Sequence, residues 1–370
     1  MSERYDVLVV GGGLVGACLA EELAAGGAGV LVLDAGPAPG HATARAAGVA
    51  VPPLRYAADP AFYGWLSAAD ETLRADARRL GEAGHAPFAV ARPLLRLLRP
   101  QDLDAYAAHG ANRPLGTPVT DEEAAGLLPG ARLPADRRAV RTEGLMVDGP
   151  GYLRAVCAEA LRAGARWWQG AEVTEVAEAG TGAAAGPVTV RCADGRRAEA
   201  DRVVLAAGAW TGRLSGGRAP IRPQRGQLAV LDGPEPLRCI VSSRMYLAPL
   251  PGGGAVAGAT EEDAGFALSC TAAGIAQVLA FAVRTLPALG AATLRETRAG
   301  LRPVSGTGRP VVGLLPGSRR TYVASGHAGH GLLTARHTAR GAVAGLLHRN
   351  WDALPEAFCP TEGKSCASTM

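Results

Sequence analysis

The chain has 370 residues, 48% of them hydrophobic and 19% charged, enough to bury the cores of two domains. Its formal net charge of +4 is small for that length, and no basic cluster is interleaved with aromatics, which argues against a nucleic-acid partner. Seven scattered cysteines without a CxxC pair argue against a disulfide framework or a zinc site, and no stretch approaches the roughly 20 apolar residues of a membrane span.

Reduced thiols, and an opening apolar run broken by Asp6 and three glycines rather than preceded by a basic leader, point to a cytoplasmic protein. Lys364 is the only lysine, so arginine is the general cation of this chain.

Residues 5–10 read as a buried strand, Gly11-Gly12-Gly13-Leu14-Val15-Gly16 as a tight turn, and the run to about Ala25 as a helix. Each glycine of the GxGxxG has a mechanical reason. Gly11 makes the turn, Gly13 lets backbone approach a pyrophosphate, and Gly16 lets helix pack closely on strand. The free amides of the helix start suit an anion. Alone the motif is weak in a chain with 50 glycines. A second apolar run, 30–33, ends in Asp34 at the distance where an acid meets the ribose hydroxyls of an adenine dinucleotide, and an acid there disfavours a 2′-phosphate.

After a glycine- and proline-rich bend at 36–40, the small residues of 41–49 either let main chain lie against something flat or form an ordinary loop. The apolar spacing over 59–84 predicts a long amphipathic helix capped by Asp59 before Pro60. From 87 to 140 the pattern breaks into short strands at 88–90 and 94–98 and a helix-like 121–128, a composition shift that suggests a second domain inserted into the first. A helix is expected over 151–164, strands over 171–176, 188–192 and 202–207, and a loose loop at 183–186. The strand ending at Ala207 runs into another glycine-marked turn at Gly208.

Further strands are expected at 220–231, 245–250 and 255–259, the last two forming a hairpin around 251–254. A helix over 272–286 stops at Pro287, and an alternating strand, 294–301, leads into Arg302-Pro303. The closing segment repeats the opening logic: strands 311–314 and 321–325, a glycine-rich loop 326–331, and a helix over 332–347. Two anion-seeking helix starts imply a ligand polar at both ends. The tail from about Pro360 reads as frayed and polar.

Together these segments resemble the D-amino-acid-oxidase superfamily of flavoproteins, most closely its glycine oxidase branch, over about 5–347. The resemblance rests on the opening glycine motif, 43–48, 203–211, 223–227, Tyr246, 258–260, 300–303 and 326–331. It implies an α/β (α+β two-domain) architecture. A discontinuous FAD-binding Rossmann-like domain would take 1–86, 142–218 and 301–350, a mainly antiparallel β-sheet substrate domain 87–141 and 219–300, and a tail 351–370.

The same resemblance implies FAD contacts at Gly11, Gly13, Leu14, Val15, Gly16, Asp34, Ala35, Ala42, Thr43, Ala47, Gly48, Val49, Val173 and Gly208. It also puts the loop His327, Ala328, Gly329, His330, Gly331, Leu332 and Leu333 under the flavin ring. A helix start there suits the negative charge a reduced flavin gains near N1 and O2. His327 and His330 read better as locally packed than as bases or ligands, so no catalytic residue and no metal site is assigned. Arg302 matches the carboxylate-binding arginine of the similar enzymes, and Tyr246 a position whose phenol assists at the same carboxylate.

Two departures stand out. Gly329 occupies a position where members closest to glycine oxidase carry an arginine. Ser305-Gly306-Thr307 follow Arg302 where relatives with covalent FAD have a cysteine, so FAD is expected to be non-covalent.

The implied activity is oxidative deamination of a small amino acid or amine such as glycine, sarcosine or a D-amino acid. Hydride would pass to flavin N5, giving an imine and 2-oxo acid, with dioxygen reduced to hydrogen peroxide. The alternatives are a same-fold dehydrogenase subunit passing electrons to a partner, of the hydrogen cyanide synthase or opine-oxidizing type, a tailoring oxidase acting on a larger amine, and a flavin-binding subunit without turnover. The presence of Arg302 weighs against the last.

Overall fold

The structure is a computed structural model and describes residues 4–36, 41–103, 116–178, 186–233, 237–250 and 253–360. In chain order it runs β1 (Arg4–Val10), α1 (Leu14–Ala25), β2 (Val30–Asp34), α2 (His41–Arg45), β3 (Val49–Ala50), α3 (Pro60–Glu82), β4 (Ala89–Leu98), β5 (Thr117–Pro118), α4 (Asp121–Leu127), β6 (Arg138–Val147) and α5 (Gly149–Arg162). There follow β7 (Arg166–Gln169), β8 (Val173–Glu178), β9 (Val188–Cys192), β10 (Arg197–Leu205), α6 (Thr211–Leu214), β11 (Ile221–Asp232), β12 (Ile240–Ser242), β13 (Tyr246–Pro249), β14 (Ala255–Gly258), α7 (Ala272–Thr285), β15 (Thr293–Ser305), β16 (Val311–Leu314), β17 (Thr321–Ser325) and α8 (Gly331–His348).

Among the described residues the strands form two sheets. The first has the order β16-β17-β10-β1-β2-β7, with β9 on the early half of β10 and β8 on β9. Strands β17, β10, β1, β2 and β7 are parallel to one another. Apolar side chains on both faces are therefore buried, as a covered parallel sheet requires. Val7 and Val9 pack beneath α1, α3, α5 and α8, and Leu8 and Val10 on the opposite face. Helix α3 starts where expected, because Asp59 accepts the Phe62 amide at 3.1 Å and Pro60 needs no amide bond.

The second sheet has the order β15-β11-β14-β13-β12-β4-β6-β3, antiparallel except for β12 on β4. One face packs on α4 and α7 through Leu95, Val241, Val278 and Ala282. The other carries Leu228, Ile240 and Val256, with Ala47, Val49 and Val51 against it. The chain is thus an α/β fold with a Rossmann-like region and a separate, mainly antiparallel sheet.

Several expectations about elements change. The two short strands around Pro93 are one strand, β4. Its pairing with β12 begins only at Leu94, so the missing proline N–H falls just outside the stretch with neighbours on both sides. Arg302 and Pro303 lie inside β15 rather than beyond its end. Pro303 sits opposite Pro223, where β11 is not yet paired to β14. Residues 41–49 form one helical turn and a short strand. Strands β6, β7 and β12 were not foreseen. The first is interrupted by Arg138, Arg141 and Glu143, and the last has three residues, too few for an alternation. The domain divisions expected at 141/142 and 300/301 fall within β6 and β15. The loop at 183–186 (apart from Gly186), residues 37–40 of the early bend, residues 251–252 of the hairpin and the tail from 361 lie outside the described residues.

The helical layer is joined by a buried guanidinium. The Arg336 side chain on α8 is 1% exposed and donates through Nε to Asp76 of α3 at 2.9 Å, through Nη1 to Glu22 of α1 at 3.0 Å, and through Nη2 to Glu21 of α1. Tyr152 of α5 donates its hydroxyl to Asp76 at 2.6 Å, and Arg79 pairs with both Glu21 and Asp76. Burial disfavours the Asp76 carboxylate, but Arg336, Tyr152 and Arg79 together hold its pKa below the ordinary value. A depressed carboxylate pKa contributes stability above its unfolded value that is lost as pH falls through the folded one. Replacing Arg336 by Met removes the buried counter-charge of Asp76 and Glu21 and leaves them the partly exposed Arg79. The expected cost is ~3–5 kcal/mol, read as a lower urea midpoint at neutral pH; an unchanged midpoint contradicts this account.

Candidate active site

A cavity of about 1190 Å³ opens between the two sheets, larger than the roughly 300–1,000 Å³ of ordinary small-molecule pockets. Its wall is drawn from the carboxyl ends of β1, β2 and β10, from α2 and β3, from β11, β13 and β15 of the second sheet, and from the loop before α8. Ligands of open α/β sheets bind outside the carboxyl ends of the strands, and this cavity lies there.

At one end lies the glycine turn. Gly11 has φ of 107°, and a methyl there would sit 2.5 Å from the Ala206 carbonyl oxygen, so both conformation and space demand glycine. A methyl at Gly16 would sit 1.9 Å from the Gly11 oxygen, which is the close approach of α1 to its strand. Gly13 differs. A methyl there meets nothing nearer than Thr43 Oγ1 at 3.9 Å, leaving open space in front of the α1 amides. The Asp34 carboxylate accepts the Gly12 amide at 2.5 Å and the Gly36 amide at 3.0 Å, fixing the turn from the end of β2.

At the other end β17 gives way to Gly326, with φ of 81°, and to the start of α8. His327 is buried, and its Nε2 lies 3.0 Å from Thr338 Oγ1; burial lowers its pKa to about 4. His330 accepts a hydrogen bond at Nε2 from Arg55 at 3.1 Å. Burial first, then the positive charges of Arg55 and Arg302, bring its pKa down to about 3. Both imidazoles are neutral near pH 7.

Between these ends Arg302 reaches into the cavity from β15. Its Nη1 donates to the Thr260 carbonyl at 2.8 Å, and its guanidinium lies over Gly226, where a methyl would come within 2.5 Å of Nη2. Among the described residues Arg302 forms no ion pair, unlike Arg225 nearby, which pairs with Glu262. Glu262 also accepts from Gln227 at 2.7 Å, and the Gln227 amide donates to Thr260 Oγ1 at 2.9 Å. This brace holds the segment that offers its carbonyl to Arg302. Tyr246 pairs with Gly258 across β13 and β14, and a methyl at Gly258 would lie 2.8 Å from the Tyr246 hydroxyl. Burial raises the phenol pKa to about 12, with Arg302 opposing, so Tyr246 remains a hydrogen-bond donor.

The expected positions Gly11, Gly13, Leu14, Val15, Asp34, Ala35, Ala42, Thr43, Ala47, Gly48, Val49, Val173, Gly208, Tyr246, Arg302 and 327–332 all line this one cavity. Gly16 and Leu333 do not. Gly16 serves the packing of α1, and Leu333 is buried in the core beneath the parallel sheet. Sequence reasoning missed Arg55, Gly226 and Glu261, and gave Thr260 no role. No motif marks these positions; only the segments 223–227 and 258–260 drew attention to their surroundings.

The open helix start, the acid at the end of β2, the strip of small residues and the second helix start give the cavity the donor set of an extended dinucleotide site. The sequence profile of the family described as FAD dependent oxidoreductase (DAO) matches residues 6–345. Glycine oxidase of Geobacillus kaustophilus is 28% identical over 365 residues, 94% of each chain, and its crystal structure superposes with a TM-score of 0.85 at 26% identity, covering 98% of this chain and 100% of that one. Glycine oxidase of Pseudomonas aeruginosa is 31% identical over 351 residues, 92% of this chain and 93% of the other. The structure of iminodiacetate oxidase from Chelativorans sp. gives a TM-score of 0.82 at 27% identity over 96% of this chain and 100% of that one. A match over nearly the full length, on a fold whose cavity carries both helix starts, means that this chain belongs to the DAO family of FAD-dependent oxidoreductases, in its glycine oxidase branch.

Proposed function

We propose that this protein oxidises a small amine bearing a carboxylate, such as glycine, sarcosine or a D-amino acid, with non-covalently held FAD. The observation that carries this reading is Arg302. Its guanidinium faces the cavity beside a protonated Tyr246 and has no carboxylate partner among the described residues. A guanidinium fork grips a carboxylate through two parallel hydrogen bonds and so fixes direction as well as charge.

In this reading Gly13, Leu14 and Val15 would hold the pyrophosphate at the α1 amides, Asp34 would hold the ribose, and the amides around Gly331 and Leu332 would offer the positive end of α8 to the flavin. FAD, when bound, accepts hydride at N5 and passes two electrons to dioxygen, which leaves as hydrogen peroxide. The substrate carboxylate rests on Arg302 and Tyr246, which aims the α-carbon along the cavity. The α-carbon gives up hydride and the amine a proton; water then hydrolyses the imine to a 2-oxo acid and ammonia or an amine.

Neither imidazole nor the phenol beside Arg302 is a base for the ammonium. Groups with a pKa of about 4 and about 3, as at His327 and His330, hold protons too weakly, and a phenol at about 12 is already protonated. The amine must arrive neutral. A second reading, a substrate larger than glycine, is favoured by Gly329. A methyl there would meet only Arg302, at 3.6 Å, and φ is not left-handed, so neither space nor backbone requires a glycine that leaves this wall open.

The deciding experiment is anaerobic bleaching of the yellow protein by glycine, sarcosine and D-amino acids, followed by peroxide measurement in air. Arg302→Ala is expected to raise KM about 100-fold, the equivalent of ~3 kcal/mol at a charged bidentate contact, while the flavin spectrum persists. An unchanged KM removes Arg302 from the site. The profile of kcat/KM against pH is expected to rise with ionisation of the substrate ammonium and to show no enzyme limb between pH 6 and 7; a histidine-like limb there would contradict the neutral imidazoles.

A further inference from the structure

From the same cavity we infer that the amine substrate carries a second carboxylate, and that Arg55 receives it. The inference rests on the function proposed above and narrows its substrate class to amines with two acidic groups. Arg55 lies in the turn between β3 and α3 and lines the cavity together with Arg302 and Tyr246. The two guanidiniums are brought from different elements to one loop: Arg55 donates to His330 at 3.1 Å, and Arg302 Nε would lie 3.6 Å from a methyl on the adjacent Gly329. One anion on Arg302 leaves the other cation facing the same space.

The present partners of Arg55 are replaceable. Its Nη2 donates to a neutral imidazole, and its Nη1 stands 3.4 Å from Glu261, in a pair whose side chains are 50% and 57% exposed. An exposed pair at that distance is weak, whereas a carboxylate already anchored at its other end arrives without paying the full entropy of association. Glu261 therefore acts as an internal stand-in that the substrate displaces. Gly329 adds the room, because no side chain projects between Arg302 and His330 at that position. The wall as a whole is basic: among the described residues that line it, eight arginines face four carboxylates, which concentrates anions in the cavity.

The test has two arms and uses the FAD-loaded protein. In the binding arm, the melting temperature is followed with the non-reacting anions succinate and malonate against propionate and acetate at fixed ionic strength, for wild type, Arg55→Gln and Glu261→Gln. The inference holds if the dicarboxylates stabilise wild type more than the monocarboxylates, if Arg55→Gln loses the difference, and if Glu261→Gln enlarges it. Equal shifts in wild type, or a difference that survives in Arg55→Gln, overturn it. A retained flavin spectrum shows that each variant is folded.

In the kinetic arm, each acid is compared with its amide: D-aspartate with D-asparagine, D-glutamate with D-glutamine, and N-carboxymethylglycine with its monoamide. At least one acid is expected to have a KM tenfold or more below that of its amide, with that ratio falling to near one in Arg55→Gln. Amides as good as acids in all three pairs overturn the inference while leaving the oxidase reading intact. Failure of every amine to bleach the flavin sinks the oxidase reading, and the binding arm then decides the anion site alone.

Discussion

Arg336 sets the frame on which the site is built. One guanidinium, 1% exposed, joins α8 to Glu21 and Glu22 of α1 and to Asp76 of α3, and Asp76 reaches α5 through Tyr152. The helices it ties together include the two whose N-termini point into the cavity. Those termini lie at opposite ends of the chain, so their meeting at one cavity is a tertiary property. A charge cluster is suited to hold it, because a buried ion pair tolerates little misalignment before desolvation outweighs attraction.

The second sheet provides the wall that faces the parallel one. Its contribution is made by glycines as much as by functional groups. Gly226 leaves room for the Arg302 guanidinium and Gly258 for the Tyr246 hydroxyl, so a side chain at either position would move a polar group of the cavity wall. The Arg225–Glu262–Gln227 brace fixes the Thr260 carbonyl that Arg302 bonds. Arg225 and Arg302 are thus both in β-ladders, and their partners separate their roles: among the described residues Arg225 meets a carboxylate, and Arg302 meets a neutral carbonyl oxygen.

The opening βαβ unit and the closing helix were legible because local chemistry determines them. Gly11 needs a positive φ, Asp34 ends an apolar run, and Asp59 caps α3 beside a proline. The second sheet was legible only in pieces. Strands β6 and β12 owe their existence to β4 lying between them, pairings that reach from Leu98 to Arg138 on one side and from Leu94 to Ile240 on the other and that no local pattern encodes. The strand β15 outruns its alternation because β11 pairs it all the way to Ser305, so Arg302 lies within the strand and not beyond its end. Arg55 and Glu261 had no signature at all. In a chain where arginine is nearly the sole basic residue, one more arginine in a turn looks like a solvated surface group until the fold brings it opposite Arg302.

The position of β15 has one more consequence. Among the described residues this thirteen-residue strand has a ladder on one side, and on the other an isolated bridge from Val304 to His327, so the stretch before Arg302 is also a rim of the sheet. Such rims invite foreign strands, and recruitment of one would tug directly on the strand that carries Arg302. The outer stretch of β15 is salted with Arg295, Glu296 and Arg298, and the last two are paired to each other at 2.8 Å. Charge at a strand's margin is a deterrent to aggregation, and here the same deterrent shelters the geometry of catalysis.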